Sequence, residues 1–99
     1  MKANELKKLG ELVNNATAAM YIWQYYALEA WREGRKCDAR LYKKNWKFES
    51  DRLFGIREAC EAVGYNWIGA LTAETVADGE RLKEVDHVGD RALRMDDID

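Results

Sequence analysis

A run of apolar residues at alternating steps of three and four constrains the fold of this chain more than any other feature. Such steps keep side chains on one face of an α-helix. No proline occurs in the 99 residues, so glycine is the residue that can end a long helix. The pattern predicts a first helix over about residues 4–33, stopped by Gly34. Its apolar face consists of Leu6, Leu9, Val13, Ala16, Met20, Trp23, Ala27 and Ala30.

Two further helices are predicted from the rest of the chain. Apolar residues return at helical spacing over about residues 38–63, and Gly64 follows them. The short linker after Gly34 favours an antiparallel hairpin of the first two helices. A weaker pattern predicts a third, shorter or broken helix over about 72–95. We therefore expect an all-α fold with a single domain over residues 1–99, packed in an oligomer.

Two residues of the second helix depart from a simple amphipathic pattern. Gly55 costs about 1 kcal/mol in a helix interior relative to alanine. In the predicted hairpin register it lies opposite Ala16, where a glycine would let the two backbones approach closely. Glu49 falls among apolar positions, and a buried carboxylate needs a partner. We expect Glu49 to make a polar contact in the core that fixes the register or the subunit pairing, with an acid or base role as the alternative.

Large apolar side chains surround the first helix between residues 20 and 31. A helix that is apolar all round must be buried all round, whereas one hairpin partner covers only one stripe. The sequence therefore predicts a homo-oligomer or a standing protein partner. The alternative is that the tyrosines cover the third helix and keep their hydroxyl groups in water. The predicted interface aromatics are Tyr21, Trp23, Tyr25, Tyr26 and Trp31.

Charge is segregated along the chain, with a basic middle and an acidic end around a net charge of -2. The predicted basic patch lies on one face of the second helix and at the hairpin tip. Cations there could bind an acidic protein, phosphate groups or the acidic end of the same chain, or form an ordinary solvated face. The patch consists of Arg32, Arg35, Lys36, Arg40, Lys43, Lys44 and Lys47.

The sequence contains no set of residues that indicates catalysis. Ser50 is the one serine and has no histidine near it in sequence, and no glycine-rich phosphate loop is present. Glu84 and His87 have the Glu-x-x-His spacing of di-iron bundles, which need two such motifs. The spacing of Cys37 and Cys60 indicates two free thiols. We therefore predict no enzyme, no metal site and no cofactor.

A non-enzymatic helical binding protein that acts through protein–protein interaction fits these features best. One concrete form is a phage or mobile-element-type inhibitor of a host nucleic-acid-handling system, by association with other short helical proteins. The alternative is a nucleic-acid or phosphorylated small-ligand binding protein that uses the basic hairpin tip. No apolar run is long enough for a signal peptide or a membrane span, so we expect a cytoplasmic protein without membrane contact.

Overall fold

Two long helices form the frame of the protein in a computed structural model. Helix α1 spans Ala3–Arg32 and helix α2 spans Lys36–Ala62, and the two pack against each other. Helix α3, Ala73–Val85, packs on α1. The prediction of a helical fold built on two packed long helices is confirmed. The structure describes residues 2–85, 87–88, 91–92 and 94–98, with backbone alone for residues 83–85, 87–88 and 91–92.

The turn between α1 and α2 is closed by a glycine in the left-handed conformation. Gly34 has a φ of +81°, which a residue with a Cβ adopts only with strain. The amide of Arg35 donates to the carbonyl of Ala30 at 2.8 Å, and the amide of Gly34 donates to the carbonyl of Trp31 at 3.1 Å. These two bonds satisfy carbonyls left open at the end of α1. The chain therefore reverses within a few residues, as the sequence predicts.

Small residues bring the two long helices together near this turn. Ala27 and Ala30 of α1 and Ala39 of α2 are fully buried in one core cluster. Alanine side chains let helix axes approach closely. The larger buried side chains of the same cluster, Leu28, Met95 and Ile98, pack around this contact. Further from the turn, Val13 of α1 and Leu53 of α2 are buried as well.

The asparagine Asn14 fixes the segment before α3 to α1. Its Nδ2 donates to the carbonyl of Ala70 at 2.9 Å, and its Oδ1 accepts from the amide of Thr72 at 2.8 Å and from Oγ1 of Thr75 at 3.0 Å. Thr75 is 4% exposed, so these bonds satisfy polar groups near the core. One polar side chain thus sets where α3 begins relative to α1.

The C-terminal part of the chain differs from the prediction. The sequence predicts a third helix that reaches about residue 95, whereas α3 ends at Val85. Strand β1, His87–Val88, then pairs antiparallel with strand β2, Arg91–Ala92, and a 3-10 helix follows at Met95–Asp97. A chain that folds back on itself in this way cannot continue the axis of α3.

Burial of the last apolar residues explains this difference. Met95 and Ile98 are buried in the core cluster beside Leu28 of α1. A straight helix continued from Val85 to residue 95 would carry these side chains about 15 Å further along its axis. The chain instead turns back across the hairpin, because burying Met95 and Ile98 stabilises the fold more than extending a weak helix.

The predicted close approach of α1 at Gly55 is wrong. Gly55 is exposed, and a Cβ built on it would meet no atom within 4 Å. The buried residues of α2 include Leu53 and Cys60, and Gly55 follows Leu53 by about 200° around the helix. It therefore faces away from Ala16 and the rest of α1. Nothing within the described residues uses the space that this glycine leaves.

Candidate protein-interaction surface

The third helix covers part of the predicted aromatic interface on α1. Tyr21 is half-buried, and a Cβ on Gly79 of α3 would lie 3.1 Å from its Cε2 atom. The guanidinium of Arg81 lies over the ring of Tyr25, 5.7 Å from its centre. Trp31 is also half-buried and packs against the core cluster. The chain thus shelters three of the five predicted aromatics in part.

The other two aromatics form a cluster with α2 that stays partly open to solvent. Trp23 stacks on Tyr42 at 5.8 Å between ring centres, and Tyr26 meets Trp23 edge-on at 6.2 Å. Tyr26 remains 46% exposed, and Ile22, one turn before it, remains 44% exposed. The helix that is apolar all round is therefore not buried all round by its own chain.

Arg35 and Lys43 of the predicted basic patch make polar contacts within the chain. Arg35 pairs through Nε with Glu33 at 2.9 Å and through Nη1 with Asp38 at 3.1 Å. Hydrogen bonds to the carboxylates of Glu33 and Asp38 raise the pKa of Arg35 above its ordinary value. Lys43 is half-buried and donates from Nζ to the carbonyl of Ile98 at 2.6 Å. These two side chains stabilise the hairpin turn and the C-terminal segment.

Other cations of the patch lie at the surface, and some of them are close to an exposed leucine. Lys44 and Lys47 are exposed and form no ion pair with any residue that the structure describes. Arg32 is also exposed, and the ammonium of Lys36 lies 5.7 Å from the ring centre of Trp31. Leu41 is 56% exposed and lies between Arg40 and Lys44 along α2. An open depression of about 420 Å³ is lined by Arg40, Leu41, Lys43, Lys44 and Lys47.

Apolar side chains continue along α2 on the side turned away from α1. Phe48 is 68% exposed, more than a residue of its size usually is in a folded protein. Phe48 is not among the residues predicted for the basic patch or the aromatic interface, although its spacing of seven from Leu41 and from Gly55 places all three along one line of the helix. We call this side the outer face of α2. It consists of Leu41, Lys44, Phe48, Asp51, Gly55, Glu58 and Ala62.

The carboxylate of Glu49 has a partner on its own helix. Its side chain is 16% exposed, and its Oε2 accepts from Nη1 of Arg52 at 3.1 Å. The sequence predicted a polar contact in the core between helices or between subunits. The contact that the structure describes lies within α2, because Arg52 is one turn further along the same helix. A contact of Glu49 with a second subunit stays a prediction.

The residues considered for metal or thiol chemistry are only partly described. The side chains of Glu84 and His87 lie outside the described residues. Within those that are described, no group of three His, Cys, Asp or Glu residues could hold a metal ion. Cys37 is exposed and Cys60 is buried, both as free thiols. Burial raises the pKa of the Cys60 thiol.

Comparisons with known proteins assign no family. No family model matches the chain, and no similar chain was found among the curated proteins or the solved structures. Within the described part of the chain, no helix is long and apolar enough to cross a bilayer. A function therefore has to be argued from the surfaces of this protein.

Proposed function

We propose that the protein is a non-enzymatic helical binding protein that acts through protein–protein interaction at the outer face of α2. One observation carries the proposal: Leu41 and Phe48 are 56% and 68% exposed beside Lys44 on the same face and Lys47 at its edge. Apolar side chains clustered at the surface and rimmed by charge are typical of interaction sites. Covering them would remove apolar area from water and stabilise a complex.

The chemistry of this face favours an acidic protein surface with room for large apolar side chains. Lys44 and Lys47 offer charge that complements carboxylates, which gives specificity and a faster association rate. A duplex would satisfy the cations through its phosphates but leave Leu41 and Phe48 in water. A single strand could stack a base on Phe48, but it would offer the aliphatic Leu41 no comparable contact. We therefore favour a protein over a nucleic acid as the partner of this surface.

Charge reversal on α2 is expected to abolish partner capture. The protein carrying Lys44→Glu and Lys47→Glu is compared with wild type as immobilised bait in a lysate of the cells that encode it. Partners held by wild type should be lost from the variant, because glutamates would repel an acidic surface. The matched control is Lys7→Glu with Lys8→Glu, which makes the same charge change at exposed positions of α1.

Three results would contradict the proposal: no partner retained by wild type, equal retention by the charge-reversed protein, or loss with the α1 control as well. Labelled duplex DNA and single-stranded RNA are tested in parallel. Binding of either with an affinity that falls steeply as salt is added would favour the nucleic-acid alternative instead. The inhibitor form of the proposal further expects the retained protein to belong to a nucleic-acid-handling system.

A further inference from the structure

The outer face of α2 changes in character halfway along the helix. Its first half carries large apolar and basic side chains, whereas its second half carries small and acidic ones. All the members named here are exposed in the structure. The first half comprises Leu41, Lys44 and Phe48, and the second comprises Asp51, Gly55, Glu58 and Ala62.

An antiparallel second copy would place each half against its complement. We place the two-fold axis between residues 51 and 52. Phe48 then lies opposite Gly55 of the second copy, and Leu41 lies opposite Ala62 of the second copy, because the members of each pair are equally far from the axis. The spacing of seven keeps these positions on one contact line between two helices. Because a Cβ at Gly55 would meet nothing within 4 Å, the glycine leaves a notch that the Phe48 ring of the second copy can fill.

The charges of the two halves match in the same arrangement. Lys44 comes within one residue of the position opposite Glu58 of the second copy. Neither side chain has an ion-pair partner within the described residues. Two-fold symmetry repeats each contact, so one interface would hold two Lys44–Glu58 pairs. The first half of the outer face requires an acidic surface with room for large apolar side chains. The second half of the same face provides such a surface.

We propose that the outer face of α2 binds the outer face of a second copy of this chain, antiparallel, with Phe48 over Gly55 and Lys44 beside Glu58. The inference rests on the proposed function, since it names the partner of the same surface. It also gives Gly55 a role. A glycine in an exposed helix interior lowers helix stability, and neither α1 nor α3 makes use of this one.

A pair of charge reversals tests this arrangement by sedimentation velocity. Wild type should form a species of twice the 11.5 kDa chain mass. Lys44→Glu alone and Glu58→Lys alone should each weaken self-association at least tenfold, on the order expected for two like-charge contacts at an interface. An equimolar mixture of the two variants should recover the dimer, because both pairs are then again opposite in charge.

Matched controls separate this effect from charge or folding in general. Lys8→Glu and Glu11→Lys, alone or mixed, make the same changes at exposed positions of α1 and should leave self-association unchanged. Gly55→Leu should also abolish the dimer, because its side chain fills the notch. The helix content of Gly55→Leu should be retained in circular dichroism, since space at this position is open in the single chain.

Several outcomes would overturn the inference. The first is a wild type that stays monomeric up to about 100 µM, where an interface of even modest affinity would be populated. The second is a dimer that neither charge reversal weakens. The third is an equimolar mixture of the two variants that stays monomeric. If wild type is monomeric and still retains another protein that the Lys44→Glu, Lys47→Glu variant does not retain, the proposed function stands and only the self-pairing fails. If the reversals affect neither self-association nor capture, both fail.

Discussion

Leu28→Ala is expected to lower the free energy of unfolding by about 3 kcal/mol, since it deletes a buried leucine and leaves a cavity. Leu28 is 1% exposed and lies in the core cluster where α1 meets the buried Met95 and Ile98. Its loss therefore weakens the packing of the C-terminal segment on the hairpin. Urea denaturation followed by circular dichroism measures the change.

The matched control for this variant is Ile22→Ala on the same helix. Ile22 is 44% exposed, so its truncation should cost much less of the folding free energy than that of Leu28. Equal costs for the two variants would contradict the packing described here. A cost near zero for Leu28→Ala would mean that Met95 and Ile98 do not pack against this part of α1.

Asn14→Leu is expected to lower the free energy of unfolding by about 2 kcal/mol, because it removes hydrogen bonds without replacing them. The carbonyl of Ala70 and the amide of Thr72 lose the partner that Asn14 provides. Leucine is a better helix former than asparagine, so helix propensity alone predicts a slight gain in stability. The two expectations have opposite sign, and the same denaturation experiment decides between them.

Asn15→Leu provides the control for that variant. Asn15 is exposed and follows Asn14 in sequence. The substitution Asn15→Leu therefore changes helix propensity as much as Asn14→Leu does, but it removes no described hydrogen bond. We expect the stability of Asn15→Leu to equal or slightly exceed that of wild type. If Asn14→Leu behaves in the same way, Asn14 does not hold the segment before α3 in place.

The hairpin could be predicted from the sequence because its determinants are local. A helix face at steps of three and four is visible in a single stretch of chain, and Gly34 marks the end of α1. The C-terminal part could not be predicted in this way. The path after Val85 depends on where Met95 and Ile98 find apolar neighbours, and those neighbours are distant in sequence.

The candidate surface was predicted only in part, for a related reason. The cations of the basic patch are visible in the sequence, but the bonds that occupy Arg35 and Lys43 arise only in the folded chain. The hairpin register predicts which residues lie at the same height on the two helices but not the direction in which each one faces, so the predicted contact of Gly55 with Ala16 is wrong. The angle of about 200° between Leu53 and Gly55 is readable from the sequence and places Gly55 on the side away from the buried Leu53.

Most of the aromatic residues of α1 are partly covered by the chain itself, so only a small part of them is open to a partner. The chain covers Trp23 with Tyr42 and Tyr25 with Arg81, which leaves Tyr26 and Ile22 as the open part. These two are less exposed than the apolar residues of the outer face of α2. A second contact surface on α1 would compete with the arrangement proposed here, so a measurement of dimer geometry has to distinguish the two.

Double electron–electron resonance between nitroxide labels on Cys37 measures that geometry. Cys37 is exposed, whereas Cys60 is fully buried and should remain unlabelled in the native protein. Antiparallel pairing about an axis between residues 51 and 52 predicts a single distance of about 45 Å between the two labels, from the helix rise and the usual spacing of packed helices. Gly55→Leu should remove this signal. A distance below about 25 Å, as for two hairpin turns packed side by side, or no dipolar signal from wild type, would contradict the pairing of α2 with α2.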